Sequence, residues 1–137
     1  LVGSEMCIRD SPSSAEQFLL TAKGDAEDTE EIFLRLATIY MEQERFEDII
    51  ALQSQEPENL LTKWMIARSY QEIEDLDKAY ELYQQLSSDL KENPEFLEQY
   101  TYLLRELGYF EEAKVQAEAY LKLVPDDVQM QELLETL

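Results

Sequence analysis

The stretch Pro94 to Pro125, PEFLEQYTYLLRELGYFEEAKVQAEAYLKLVP, reads from end to end as one complete helical hairpin. Leu97, Tyr100, Thr101 and Leu104 recur at three- and four-residue steps, which puts them on one face of a first helix. Gly108 then breaks the pattern, and Phe110, Ala113, Ala117 and Tyr120 form the face of a second helix that Pro125 ends. Asn93 followed by Pro94 supplies a cap and a first-turn residue, so the unit has a start, a turn and a stop.

Working outward, the same plan recurs twice upstream. Trp64, Ile66, Ala67 and Tyr70 lead to a turn at Glu74 and Asp75, followed by Leu76, Ala79, Tyr83 and Leu86. Before them, Phe33, Leu36, Ala37 and Tyr40 lead to a turn near Glu44 and Arg45 and a shorter helix around Phe46, Ile49 and Ile50, which Pro57 stops. Superimposing the turns aligns Phe46, Leu76 and Phe110, then Ala37, Ala67 and Thr101, then Ile49, Ala79 and Ala113. The turns are 30 and 34 residues apart, so the first unit is short by one helical turn.

A two-helix unit with a period near 34 resembles the tetratricopeptide repeat. Phe33, Leu36, Ala37 and Tyr40 satisfy the first helix of that pattern, Ile66, Ala67, Tyr70, Ala79 and Tyr83 most of the next unit, and Gly108, Phe110, Ala113 and Pro125 the third. Lys63, Ile49 and Gln53 depart from it, as does the shortened end before Pro57. The resemblance implies an all-α fold, a right-handed α-solenoid of helix-turn-helix repeats, over residues 13–137. Its expected parts are a half repeat at 13–24, repeats at about 30–59, 60–93 and 94–127, and a terminal helix at 128–137 that caps the stack. The half repeat rests on the capping-box spacing of Ser13 and Glu16, the face Ala15, Phe18, Leu19 and Ala22, and Gly24. The terminal helix is expected to be capped by Asp126, with Val128, Leu133 and Leu134 facing inward. Residues 1–12 read as a non-native or disordered extension: LVGSEMCIRD shares no periodicity with the rest and resembles translated adapter read-through, and a chain opening on Leu reads as a fragment.

Composition narrows the function. The chain has 137 residues, 45% of them hydrophobic, enough for one domain with a core if successive helices stack. Thirty-one acidic residues against eleven basic ones give a formal charge of −20, which repels phosphate backbones and anionic headgroups and argues against nucleic acid and membrane surfaces as partners. A single cysteine, Cys7, rules out an internal disulfide, and the absence of histidine removes the commonest metal ligand and general base. No apolar run approaches the ~18 residues of a bilayer span, and the N-terminus lacks the build of a signal peptide, so the expected compartment is the cytoplasm.

Candidate chemistry is sparse. Glu30 with Glu31 and Asp126 with Asp127 are paired in sequence, but nothing desolvates one member as acid–base catalysis requires. Asp75, Asp77 and Glu81 lack the glycine of a calcium loop, and Ser69, Ser87 and Ser88 lack both a glycine elbow and a histidine. The expectation is a non-enzyme without cofactor or metal.

The tetratricopeptide resemblance implies a concave groove lined by the first helices, one step beyond their packing faces. That stripe is Leu34, Thr38 and Met41, then Trp64, Arg68 and Gln71, then Glu98, Tyr102 and Arg105. Trp, Tyr and Arg are enriched at binding hot spots, which makes the stripe a candidate site for a peptide or helical segment of another protein carrying basic and apolar residues. The same residues also fit a purely structural reading, in which Trp64 packs between hairpins and the arginines pair with carboxylates. The family's carboxylate-clamp subgroup is a poor match, since its lysines and asparagines are missing from the stripe. An alternative role is a regulatory or recruiting domain of a larger enzyme or assembly factor with its catalytic part further N-terminal.

Overall fold

A computed structural model describes residues 29–137 of the chain. The expected extension at 1–12 and the half repeat at 13–24, with Ser13, Glu16 and Gly24, lie outside the described residues. The described residues are all-α, and the chain divides into two compact units, Leu1–Ser69 and Tyr70–Leu137.

In the first unit, α1 (Thr29–Glu42) buries Ile32, Phe33, Leu36, Ala37 and Tyr40, which is the expected face with Ile32 added. It packs against α2 (Phe46–Ala51), whose buried contact is Ile49. Ile49 takes a site where the other two units carry alanine, and it is fully enclosed. The helix is short: after six residues it tightens into a 3₁₀ turn, Leu52–Gln55, and ends at Glu56 with φ of 51°. The missing helical turn of the first repeat is lost here. The Glu30 carboxylate then accepts the backbone N–H groups of Glu58 and Asn59, both at 2.8 Å, tying the start of α1 to the loop that leads into α3 (Leu60–Glu72).

The second unit contains the end of α3, then α4 (Leu76–Leu86), α5 (Pro94–Leu107), α6 (Phe110–Leu123) and α7 (Val128–Thr136). α5 and α6 pack along one another, joined by Gly108 and Tyr109 alone. Ala113 and Ala117 face this contact from α6 and are fully enclosed, as is Thr101, whose hydroxyl donates to the Leu97 carbonyl of its own helix at 2.7 Å. Small side chains at the contact let two helix axes approach to about 8–10 Å. α4 docks on α5 through stacked rings: Tyr83 lies 5.3 Å from Phe96 and 5.4 Å from Tyr100 between centroids. Phe110, expected on the inner face of α6, sits at its first residue and is 49% exposed.

Three turns share one backbone design. Glu44, Glu74 and Gly108 take left-handed φ of 56°, 66° and 83°. In each, the next residue's N–H reaches back five positions: Arg45 to Tyr40, Asp75 to Tyr70, and Tyr109 to Leu104, at 2.8, 2.9 and 2.9 Å. The left-handed residue itself donates three positions back, to Met41, Gln71 and Arg105. These paired bonds satisfy carbonyls that a helix end leaves orphaned, and they reverse the chain within two residues.

The helix starts carry the period. The Asn59 side chain accepts from the N–H groups of Leu61 and Thr62, Asn93 from Phe96 and Asp127 from Met130, and these caps stand 34 residues apart in both intervals. The cap of the last helix is therefore Asp127 and not the expected Asp126. Moving a helix start by one residue rotates its faces by about 100°. Val128, expected inside, is accordingly 59% exposed, Leu134 is half-buried, and Met130 joins Leu133 on the buried face.

The left-handed turn residues yield a paired prediction. A Cβ at Gly108 would meet nothing within 4 Å, so Gly108→Ala should lower stability by about 1 kcal/mol through backbone strain alone. Glu74→Gly should raise stability by about 0.5 kcal/mol, with relief of strain partly offset by the freer unfolded chain. Urea midpoints moving in opposite directions for the two variants support this turn geometry, and midpoints moving together contradict it.

Candidate functional site

The stripes of the first helices differ in how much they offer to a partner. On α1, Leu34 and Met41 are half-buried and Thr38 is exposed, but the Thr38 hydroxyl donates to the Leu34 carbonyl at 2.8 Å and so turns back on its own helix. On α3, Trp64 is only 7% exposed, Arg68 is half-buried, and Gln71 accepts a hydrogen bond from the Tyr83 hydroxyl at 3.3 Å. On α5, Glu98 and Tyr102 are half-buried and Arg105 is exposed, its guanidinium carbon lying 5.3 Å from the Tyr102 ring centroid. Tyr102 and Arg105 are thus in direct contact on one helix face, as are Thr38 and Leu34 on another.

Two polar clusters behind the α5 stripe escaped the reading of the sequence. The Tyr83 hydroxyl lies 3.3 Å from both Gln71 and Gln99, linking the end of α3 to α5. Tyr120, near the end of α6, donates to Asp127 at 2.5 Å, while the other Asp127 oxygen caps α7. That hydrogen bond, then burial, then the charges of Asp127 and Glu98 push the Tyr120 phenol well above its ordinary range. The same bond, helped by the Met130 N–H, holds the Asp127 carboxyl below the usual range. Glu98, a stripe residue, is therefore electrically coupled to the joint between α6 and α7. The only sequence signal for this cluster was an aromatic seven residues before a helix cap.

Two further polar side chains serve their own helices. Asp75 caps α4 by accepting from Lys78, and the buried Ser69 hydroxyl donates to Met65 of its own helix at 2.7 Å. Among the described residues no group of three or more potential metal ligands converges, and no helix is long and apolar enough to cross a membrane.

Residues 61–127, just under half of the chain, match the family model described as YpiA-like, C-terminal tetratricopeptide repeats. That segment is similar to tetratricopeptide repeats. The matched segment runs from the cap region of α3 to the Asp127 cap, and so takes in two of the 34-residue intervals marked by side-chain caps. α1 and α2, where the repeat loses a helical turn, fall outside it. A search of curated proteins finds no match. Within the matched segment, α5 carries the half-buried Tyr102 and the exposed Arg105 side by side.

The Tyr120 to Asp127 bond generates a pH test. Tyr120 holds its proton more tightly when folded, so its contribution is intact below about pH 10 and is lost as pH rises beyond that. Asp127 is more acidic when folded, so its contribution is intact above about pH 4 and is lost as pH falls through the depressed value. Tyr120→Phe should therefore lower the melting temperature most near neutral pH and least at both extremes. A difference from the unsubstituted chain that stays constant from about pH 3 to about pH 10.5 would show that the bond carries no stability.

Proposed function

We propose that the chain is a non-catalytic interaction module that holds a segment of another protein against the outward stripes of its first helices. Tetratricopeptide repeats generally mediate contacts between proteins, and stacked repeats use extended concave surfaces for this. The observation that carries the reading is the Tyr102 and Arg105 pair: an aromatic ring and a stacked guanidinium, accessible, on a helix whose other face is locked into the core. Such groups supply contact area with little loss of freedom on binding, because the helix already orders them.

Each unit carries its own candidates: Leu34, Thr38, Met41 and Arg68 in the first, where Trp64 is buried, and Gln71, Tyr102 and Arg105 in the second. The charge of −20 favours a segment that brings Lys or Arg to the rim together with an apolar side chain for the ring. The cytoplasm is the compartment we propose for this encounter.

With a partner captured by pull-down and its segment synthesised, Tyr102→Ala should weaken binding about 5- to 30-fold while leaving helicity intact. Met41→Ala should weaken it less, and affinity should fall as salt is raised. A dissociation constant unchanged in both variants would remove the stripe from consideration.

A further inference from the structure

A second surface lies away from that stripe, where α4 meets the start of α6. The Tyr80 and Tyr109 rings stand edge to face, with centroids 5.0 Å apart at 61°. The Tyr80 hydroxyl donates to the Glu112 carboxylate, 2.8 and 2.9 Å from its two oxygens, and accepts from the Gln84 amide at 2.9 Å. A carboxylate and two rings are thus held in fixed relation by groups on both helices. Tyr109 is nonetheless 41% exposed and the adjacent Phe110 49% exposed. Neither ring is needed to cap α6, since Tyr109 makes no side-chain cap bond.

Ring faces beside a carboxylate are the chemistry that recognises an organic cation. This chain satisfies its own tyrosines in that way elsewhere: Arg45 lies 4.6 Å from the Tyr40 centroid, Lys78 5.6 Å from Tyr70 and Arg105 5.3 Å from Tyr102. Among the described residues, no cation stands over Tyr109 or Phe110. The two lysines nearest in sequence are engaged, Lys114 with Glu111 at 3.5 Å and Lys78 with Asp75 at 3.7 Å. Glu112 sits in the first turn of α6.

We propose that Tyr80, Tyr109, Phe110 and Glu112 form a second recognition surface that takes an arginine side chain from another protein. A planar guanidinium can stack on a tyrosine face while donating in its own plane to the free lone pairs of the Glu112 carboxylate, which a lysine ammonium cannot do in the same geometry. Charge complementarity selects the occupant: at −20, a second copy of this chain and an anionic lipid surface are both repelled, whereas a basic segment is drawn in. None of the nine stripe residues takes part, so this surface stands or falls independently of the first.

The test is a titration of the whole 137-residue chain, uniformly labelled with nitrogen-15, with the blocked tripeptide acetyl-Gly-Arg-Gly-amide. Amide shifts should concentrate at Tyr80, Tyr109, Phe110 and Glu112, with half-saturation at about 1–10 mM, as expected for one exposed cation on aromatic rings. The same peptide with citrulline, which keeps the shape and loses the charge, should bind at least ~10-fold more weakly, and the lysine peptide should fall between. Tyr109→Ala combined with Phe110→Ala should abolish the localised shifts, Glu112→Gln should weaken them several-fold, and Tyr102→Ala should leave them unchanged. Shifts spread over every acidic segment, or equal in the double variant, would reduce the arginine to a counter-ion and overturn the surface. Shifts centred on Tyr102 and Arg105 would also overturn it while leaving the stripe proposal standing.

Discussion

Two helices can pack closely only where one of them presents small side chains, and this constraint governs the molecule. Ala37, Ala67 and Thr101 on the first helices, and Ala79, Ala113 and Ala117 on the second, are all fully enclosed. Larger groups fill in around them: Leu36, Phe96 and Leu104 from the first helices, Tyr83 from the second. An interior at this density leaves no room to vary one element without moving its neighbour. The exception shows the rule. Where Ile49 replaces alanine, the second helix lasts six residues and gives way to a tighter turn.

Close packing also dictates the turns. Helices whose contact faces begin at their ends must reverse within two residues, which requires a left-handed residue and two backward hydrogen bonds. Only Gly108 is a residue type that announces this conformation. Glu44 and Glu74 adopt it because the packed helices on either side impose it, at a penalty of about 1 kcal/mol each. A polar residue with its side chain in water is the least harmful occupant after glycine. The turn thereby leaves the first helix with one face buried and the adjacent stripe accessible, which is how Thr101 can be enclosed while Arg105, one turn along, lies in solvent over Tyr102.

Features with a period or a dedicated residue type were legible in the sequence. The alanines, the tyrosines Tyr40, Tyr70, Tyr83, Tyr100 and Tyr120, the turn at Gly108 and the cap at Asn93 all stand where spacing put them. What escaped depends on choices between near-equals. Asp126 and Asp127 are both competent caps, and the decision lies with Met130, whose burial requires the later start. Phe110 carries the residue type of a core position but stands at a helix terminus, where half of it faces water. Trp64 is hydrophobic enough for a core and polar enough for an interface, and spacing alone left both open; it is enclosed. Hydrogen bonds between side chains distant in sequence, such as Tyr80 to Glu112 across 32 residues, leave no local pattern at all.

The dependence on small side chains at the helix contacts is tested most directly by filling them. Equilibrium urea unfolding of Ala79→Leu and Ala113→Leu, each compared with the unsubstituted chain, should show a loss of about 1–3 kcal/mol per substitution, with the larger loss where the helices run closest. Both alanines are fully enclosed, so the added atoms have no exit to solvent. If both variants unfold at the unsubstituted midpoint with an unchanged slope, the contacts have slack, the repeat register is misaligned, and the helices are held together by something other than close approach.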